Sequence, residues 1–218
     1  MTTAALLCLL VAIGAAVTDW VSVAGGWQRL ELVAKPAVMV ALLGLAVALL
    51  PGSSASDAAR PWFVAALALS LVGDVLLMLP HERFVGGIVA FLLAHVAYIV
   101  GLGLIVMTAD FVAIGVVVGL VVVGSTVFLV AWPVVRAVHS GRPRQVAPVV
   151  AYLAVISTMV VVACATGRPL AIAGAFLFYA SDAVLAWDRF VTPKRWGRVA
   201  THVAYHTGQL LLVLSLLG

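Results

Sequence analysis

Charge is the scarcest commodity in this chain: of 218 residues only 9% are Asp, Glu, Lys or Arg, while 65% are hydrophobic. A water-soluble domain carries roughly 25% charged residues to cover its surface, so a free-standing soluble fold is excluded. Cysteine is nearly missing as well. Cys8 and Cys164 both sit inside apolar runs, which leaves no disulfide framework and no metal-ligand spacing, and both read as packing residues. No Lys or Arg precedes the first apolar run, so a cleaved secretory signal reads poorly and that run is expected to stay as a first span. The formal charge of +4 is scattered through short loops instead of forming a stripe, which excludes nucleic acid as a partner. No HExxH or similar compact ligand motif occurs, so the sequence calls for no metal and no other cofactor.

What the chain does have is long apolar runs, with a mean hydropathy of +1.25. A spanning helix needs about 20 mostly apolar residues. Eight such runs are read at 4–21, 34–50, 62–79, 84–106, 111–131, 147–164, 169–187 and 198–217. The expected fold class is therefore an all-α membrane protein of eight transmembrane helices, a single integral membrane domain over residues 1–218. Pro36, Pro61, Pro148 and Pro169 stand at or near the expected helix starts, where a missing N–H costs nothing. Ten of the twelve Lys and Arg residues fall in the loops after the first, third, fifth and seventh spans. The positive-inside rule then puts those loops in the cytoplasm and both termini on the non-cytoplasmic side of the cell (inner) membrane.

An internal echo organises the rest. Gly73-Asp74-Val75-Leu76-Leu77 in the third span is answered by Ser181-Asp182-Ala183-Val184-Leu185 in the seventh. His95-Val96-Ala97-Tyr98 follows the first aspartate by 21 residues, and His202-Val203-Ala204-Tyr205 follows the second by 20. Each histidine has a glycine six positions on, Gly101 and Gly208. Linked matches in the same order imply duplicated four-helix halves, about 1–108 and 109–218. With four spans each, the halves run parallel about an axis along the membrane normal.

Ionisable residues inside a bilayer are costly, and each is a functional hypothesis. Asp74, Asp182, His202 and His206 fall at similar depths in the expected cytoplasmic half, with His95 nearer the midplane. His202, Tyr205, His206 and Gln209 follow i, i+3, i+4, i+7 and share one helix stripe. His95 shares a face with Tyr98, and Tyr179 with Asp182. The expectation is one polar pocket opening toward the inner leaflet. The aspartates are alternatively structural partners of the histidines. Asp19 and Asp188 are read as solvated interface residues, and Lys35 either snorkels to the headgroups or binds a lipid phosphate. His81 and His139 are loop residues with no chemistry to offer. The GxxxG pattern at Gly115 and Gly119 is expected to pack inside the bundle rather than form a dimer seam, although a homodimer stays open.

The segments GDVLLMLP (Gly73–Pro80), FLLAHVAYI (Phe91–Ile99) and YASDAVLAWDRF (Tyr179–Phe190) resemble the YhhN-like lysoplasmalogenase family of eight-span membrane proteins. The resemblance covers essentially the whole chain. It implies hydrolysis of the vinyl ether bond of lysoplasmalogens to a fatty aldehyde and a glycerophospho-headgroup, with Asp74 and Asp182 as the catalytic pair. Such chemistry needs a proton donor and a carboxylate that steadies positive charge or activates water, a division of labour two aspartates can share. His95 and His202 would orient groups or relay protons. Lys35, Tyr98, Tyr179, Tyr205, His206 and Gln209 would contact a lysophospholipid drawn from the cytoplasmic leaflet, with Lys35 and His206 at its phosphate. Two alternatives remain: a metal-dependent lipid hydrolase using the Asp and His residues as zinc ligands, and a small lipid or solute transporter.

Overall fold

A computed structural model describes residues 2–79, 83–106 and 109–218, with the backbone alone at 109–111. The described residues form helices and no strand. In chain order they are α1 (Thr3–Gly25), α2 (Gln28–Ala48), α3 (Ser54–Met78), α4 (Phe84–Leu104) and α5 (Ala109–Thr126). There follow α6 (Trp132–Gly141), α7 (Val146–Ala165), α8 (Pro169–Phe190) and α9 (Gly197–Leu214). Seven stretches among the described residues are long and apolar enough to cross a membrane: α1 to α4, Val112–Gly141, Pro143–Ala165 and α8. The chain is a multi-pass membrane protein.

α2 and α3 begin earlier than hydropathy suggests, because a tight turn before one and a cap on the other, not apolar runs, set their starts. Gly26 takes the left-handed conformation (φ 70°) that ends α1, and α2 starts two residues later. The Ser53 hydroxyl accepts from Ser56 N at 3.1 Å and opens α3 in a polar segment. Pro36 and Pro61 consequently lie inside α2 and α3, not at their first positions. Pro148 is the third residue of α7, and Pro169 alone of the four occupies the first helical position.

The fifth span is also longer than expected. α5 runs through a π-helical turn, Val127–Ala131, directly into α6, so one continuous helix reaches Gly141 and carries Arg136 and His139 on its last turns. Its outer face is left to lipid, with Phe128 and Leu129 largely exposed. Its inner face meets α7: a Cβ at Gly119 would stand 2.9 Å from Val161 Cα. The GxxxG pattern thus packs inside the bundle.

Lipid removes the hydrophobic drive between helices, so their association rests on close approach and hydrogen bonds. α1–α2, α3–α4 and α8–α9 form tight sequential pairs, while α4 packs on α7, and α9 on α1 and α2. The α8–α9 contact is backbone to backbone: a Cβ on Gly174 or on Gly208 would lie 2.9 Å from the carbonyl oxygen of the other. Aromatic rings fill the centre, with Phe178 edge-on to Tyr205 at 5.2 Å and 4.6 Å from the His95 ring. One end of the bundle is knotted by hydrogen bonds. There Arg168 donates to Ser56 Oγ at 2.9 Å and to the Ser215 carbonyl at 2.8 Å, and Gly52 N donates to the Leu216 carbonyl at 3.0 Å. The polar residues of interest lie toward the other end.

Candidate active site

The unknotted end holds a cavity of about 520 Å³ with two unlike walls. That volume falls within the roughly 300–1,000 Å³ of small-molecule sites. Leu77, Met78, Ile88, Val149 and Leu153, from α3, α4 and α7, make an apolar wall. Glu31 and Lys35 from α2, with Arg198, His202 and Tyr205 from α9, make a charged one. Asp74 and Asp182 both line it.

The two aspartates have different company. Asp74, on the last turns of α3, is 1% exposed and its Oδ1 lies 2.8 Å from Lys35 Nζ. The Tyr205 hydroxyl donates to its Oδ2 at 2.8 Å. Its negative charge is thus matched by a neighbouring ammonium. Asp182, on α8, accepts from the Tyr152 hydroxyl at 2.5 Å on Oδ2, while Ser181 Oγ lies 3.5 Å from Oδ1 and gives its hydrogen to the Phe178 carbonyl at 2.7 Å. His95 Nε2 stands 3.8 Å from the same Oδ2, beyond hydrogen-bond reach. Since His95 Nδ1 is 2.6 Å from the Phe91 carbonyl, which can only accept, Nδ1 carries a hydrogen, and Nε2 is the ring nitrogen turned toward Asp182.

The echo in the sequence becomes a crossed pairing in space. Asp74 meets Tyr205 from the second HVAY segment, and Asp182 faces His95 from the first. Each aspartate therefore looks to the other half of the chain.

A second buried cluster flanks the cavity. Asp19, the single acidic residue of α1, is fully buried, and its Oδ2 lies 2.7 Å from His202 Nδ1 and 3.7 Å from His206 Nδ1. The reading of Asp19 as a solvated interface residue is corrected by this packing of α1 against α9. Trp20 Nε1 donates to His206 Nδ1 at 3.3 Å. His202 Nε2 points toward Glu31 Oε1 at 3.9 Å, and both Glu31 oxygens accept from Arg198 Nη2 at 2.8 Å.

Five of the expected site residues line the cavity: Lys35, Asp74, Asp182, His202 and Tyr205. The others do not line it. His95 backs Asp182, and His206 sits behind Asp19. Tyr98 donates to Gln209 Oε1, and Gln209 Nε2 in turn to Ser70 Oγ at 3.1 Å, a bond network between α3, α4 and α9. Tyr179 is buried beside a smaller hollow on the far side of Asp182. Asp188 lines the cavity, accepting from Lys194 N at 3.0 Å. His139 is exposed near the end of α6, and His81 lies outside the described residues.

Sequence reasoning passed over Tyr152, Ser181, Glu31, Arg198 and Trp20. Tyr152 carried a usable signal, as the one tyrosine in a span whose other polar residues are Ser157 and Thr158. Among the described residues no three His, Cys, Asp or Glu side chains converge as a metal-ligand set.

The YhhN family is matched over residues 30–216. Lysoplasmalogenase TMEM86B of Rattus norvegicus is 34% identical over 88% of this chain and 74% of its own length. The Mus musculus protein of the same name is 32% identical over 88% and 76%. A lysoplasmalogenase of Mycobacterium tuberculosis is 32% identical over 70% of this chain and 59% of its own. No solved structure matches.

Proposed function

The chain belongs to the YhhN family, and on that footing we propose that it is a membrane ether hydrolase cleaving the vinyl ether bond of a lysoplasmalogen. The names of its relatives support the reaction. The observation that carries the chemistry is the pair of aspartates at one cavity, one matched by a lysine and one served by neutral groups.

A vinyl ether breaks when a proton adds to its β-carbon, leaving an oxocarbenium ion. Asp182, without a neighbouring ammonium as close as the one on Asp74, is the proton donor in this reading. Asp74, its charge balanced by Lys35, faces the cation and steadies it, much as glycosidases divide acid and stabilising roles between two carboxylates. Water adds to the cationic carbon and gives up a proton to Asp182, now a carboxylate, restoring the acid. The hemiacetal then collapses to fatty aldehyde and glycerophospho-alcohol, one water being consumed overall. His202, held by Asp19 through Nδ1, presents Nε2 to the cavity and positions the water. Tyr152 fixes the orientation of Asp182 with His95 packed behind it, and the apolar wall takes the hydrocarbon chain.

The same reading makes α9 the eighth span, with two parallel halves of about 1–108 and 109–218. The crossed Asp pairing supports it, as does the matching of the α4–α7 and α9–α2 contacts, which occupy equivalent places in the halves. With termini outside, the cavity opens to the cytoplasmic leaflet of the cell membrane, where the lysophospholipid enters sideways.

The test is product analysis with purified protein. A 1-alkenyl lysophospholipid is expected to release fatty aldehyde, and its 1-acyl counterpart to be left intact. Release of fatty acid from the acyl lipid without aldehyde from the alkenyl one would sink the assignment.

A further inference from the structure

We infer that Arg198 and Glu31, at the mouth of the cavity, form the subsite for a zwitterionic phosphodiester headgroup, with the phosphate on Arg198 and the ammonium on Glu31. The inference rests on the lysoplasmalogen reading for the substrate and extends it to residues outside the aspartate centre.

Three observations meet here. First, Lys35 is 13% exposed and bound to Asp74, and His206 does not line the cavity, so neither is available to a phosphate. Arg198 lines the same cavity with its side chain 58% exposed. It already grips a two-oxygen anion, donating from Nη2 to both Glu31 oxygens at 2.8 Å. A phosphodiester offers the same two-oxygen geometry, for which a guanidinium is suited.

Second, the register along α2 fits the lipid. Glu31 and Lys35 lie four residues apart on one helix face, about 6 Å along the axis. Lys35 marks the depth of Asp74, and Glu31 that of Arg198. In a 1-alkenyl glycerophospholipid five bonds separate the vinyl ether oxygen from phosphorus, roughly 6 Å when extended. A substrate with its vinyl ether at Asp74 thus brings its phosphate to Arg198.

Third, the pair is itself a cation beside an anion. A zwitterionic headgroup laid antiparallel to it leaves no charge unmatched. A headgroup lacking the ammonium would displace Glu31 from Arg198 and give nothing back.

The test measures binding without turnover. A saturated 1-alkyl lysophosphoethanolamine and a 1-alkylglycerol are titrated into detergent-solubilised wild type, Arg198→Gln and Glu31→Gln, with inorganic phosphate as competitor. Arg198→Gln is expected to weaken the phospholipid by about tenfold or more, the worth of a charge-assisted hydrogen bond, and to leave the alkylglycerol unchanged. Glu31→Gln is expected to weaken the phosphoethanolamine lipid and to strengthen a lysophosphatidylglycerol analogue. Equal losses for both ligands with Arg198→Gln would make the residue structural and overturn the subsite, as would an unchanged affinity of either variant for the phosphoethanolamine lipid. Inorganic phosphate competing as well as the lipid would make it a free-phosphate site and overturn the headgroup assignment. Because the alkyl ether cannot be cleaved, a lipid bound through Arg198 whose alkenyl form is not hydrolysed would refute the activity and leave the subsite standing.

Discussion

Replacing Lys35 by Met tests how the aspartate centre is held. The Lys35–Asp74 pair spans 2.8 Å with the carboxylate 1% and the lysine 13% exposed. Removing one partner of a buried pair strands the other charge and costs about 3–5 kcal/mol, whereas replacing both by neutral groups of similar volume is close to neutral. The Tyr205 hydroxyl still donates to Asp74 in Lys35→Met, so the lower end, about 3 kcal/mol, is expected. For a chain of this length that is a fall in Tm of roughly 6–12 °C. The double variant Lys35→Met with Asp74→Leu is expected to recover most of that loss while staying inactive, which separates the structural role of the pair from the catalytic role of the carboxylate. Thermal unfolding of the four species in one detergent closes the cycle. A Lys35→Met protein unfolding within about 2 °C of wild type, less than 1 kcal/mol by the same conversion, would show that no such pair exists.

The other predictions concern the flank and the frame. Asp19→Ala orphans the buried Nδ1–H of His202 and is expected to cost about 1–3 kcal/mol and lower turnover. Asp19→Asn keeps an acceptor oxygen and should restore most of the stability in the same unfolding and turnover assays. Gly208→Val drives a side chain into the α8 backbone at Gly174 and is expected to destabilise by about 3 kcal/mol or more. Gly103→Ala, which meets nothing within 4 Å, is expected to be neutral or slightly stabilising, and circular dichroism melts compare the two.

Much of the fold was legible in the chain because hydropathy reports what must face lipid, and most of the expected spans correspond to helices found. Boundaries were less legible. Gly26 ends α1 in a tight turn that lets α2 begin at once, and Ser53 caps α3; an apolar window registers neither, so Pro36 and Pro61 passed for helix starts. The π-helical join to α6 leaves no turn residue to announce it. In the site, Asp74, Asp182 and the two HVAY segments stood out through repetition. Asp19 did not, since its place at the end of an apolar run resembles any interfacial aspartate. Its burial comes from α1 lying against His202 and His206 of α9, a contact 183 residues distant for His202 that no local pattern encodes. Glu31 and Arg198 were hidden likewise, each looking solvated until α2 and α9 bring them together.

The central claim is that Asp182 delivers the proton that breaks the vinyl ether. Turnover of a 1-alkenyl lysophospholipid by Asp182→Asn, with folding verified by its melt, tests it most directly. The amide keeps the Tyr152 contact but cannot donate a proton as an acid, so a fall of about 10²-fold or more is expected, the scale of general acid catalysis. A folded Asp182→Asn protein turning over at the wild-type rate would contradict the account.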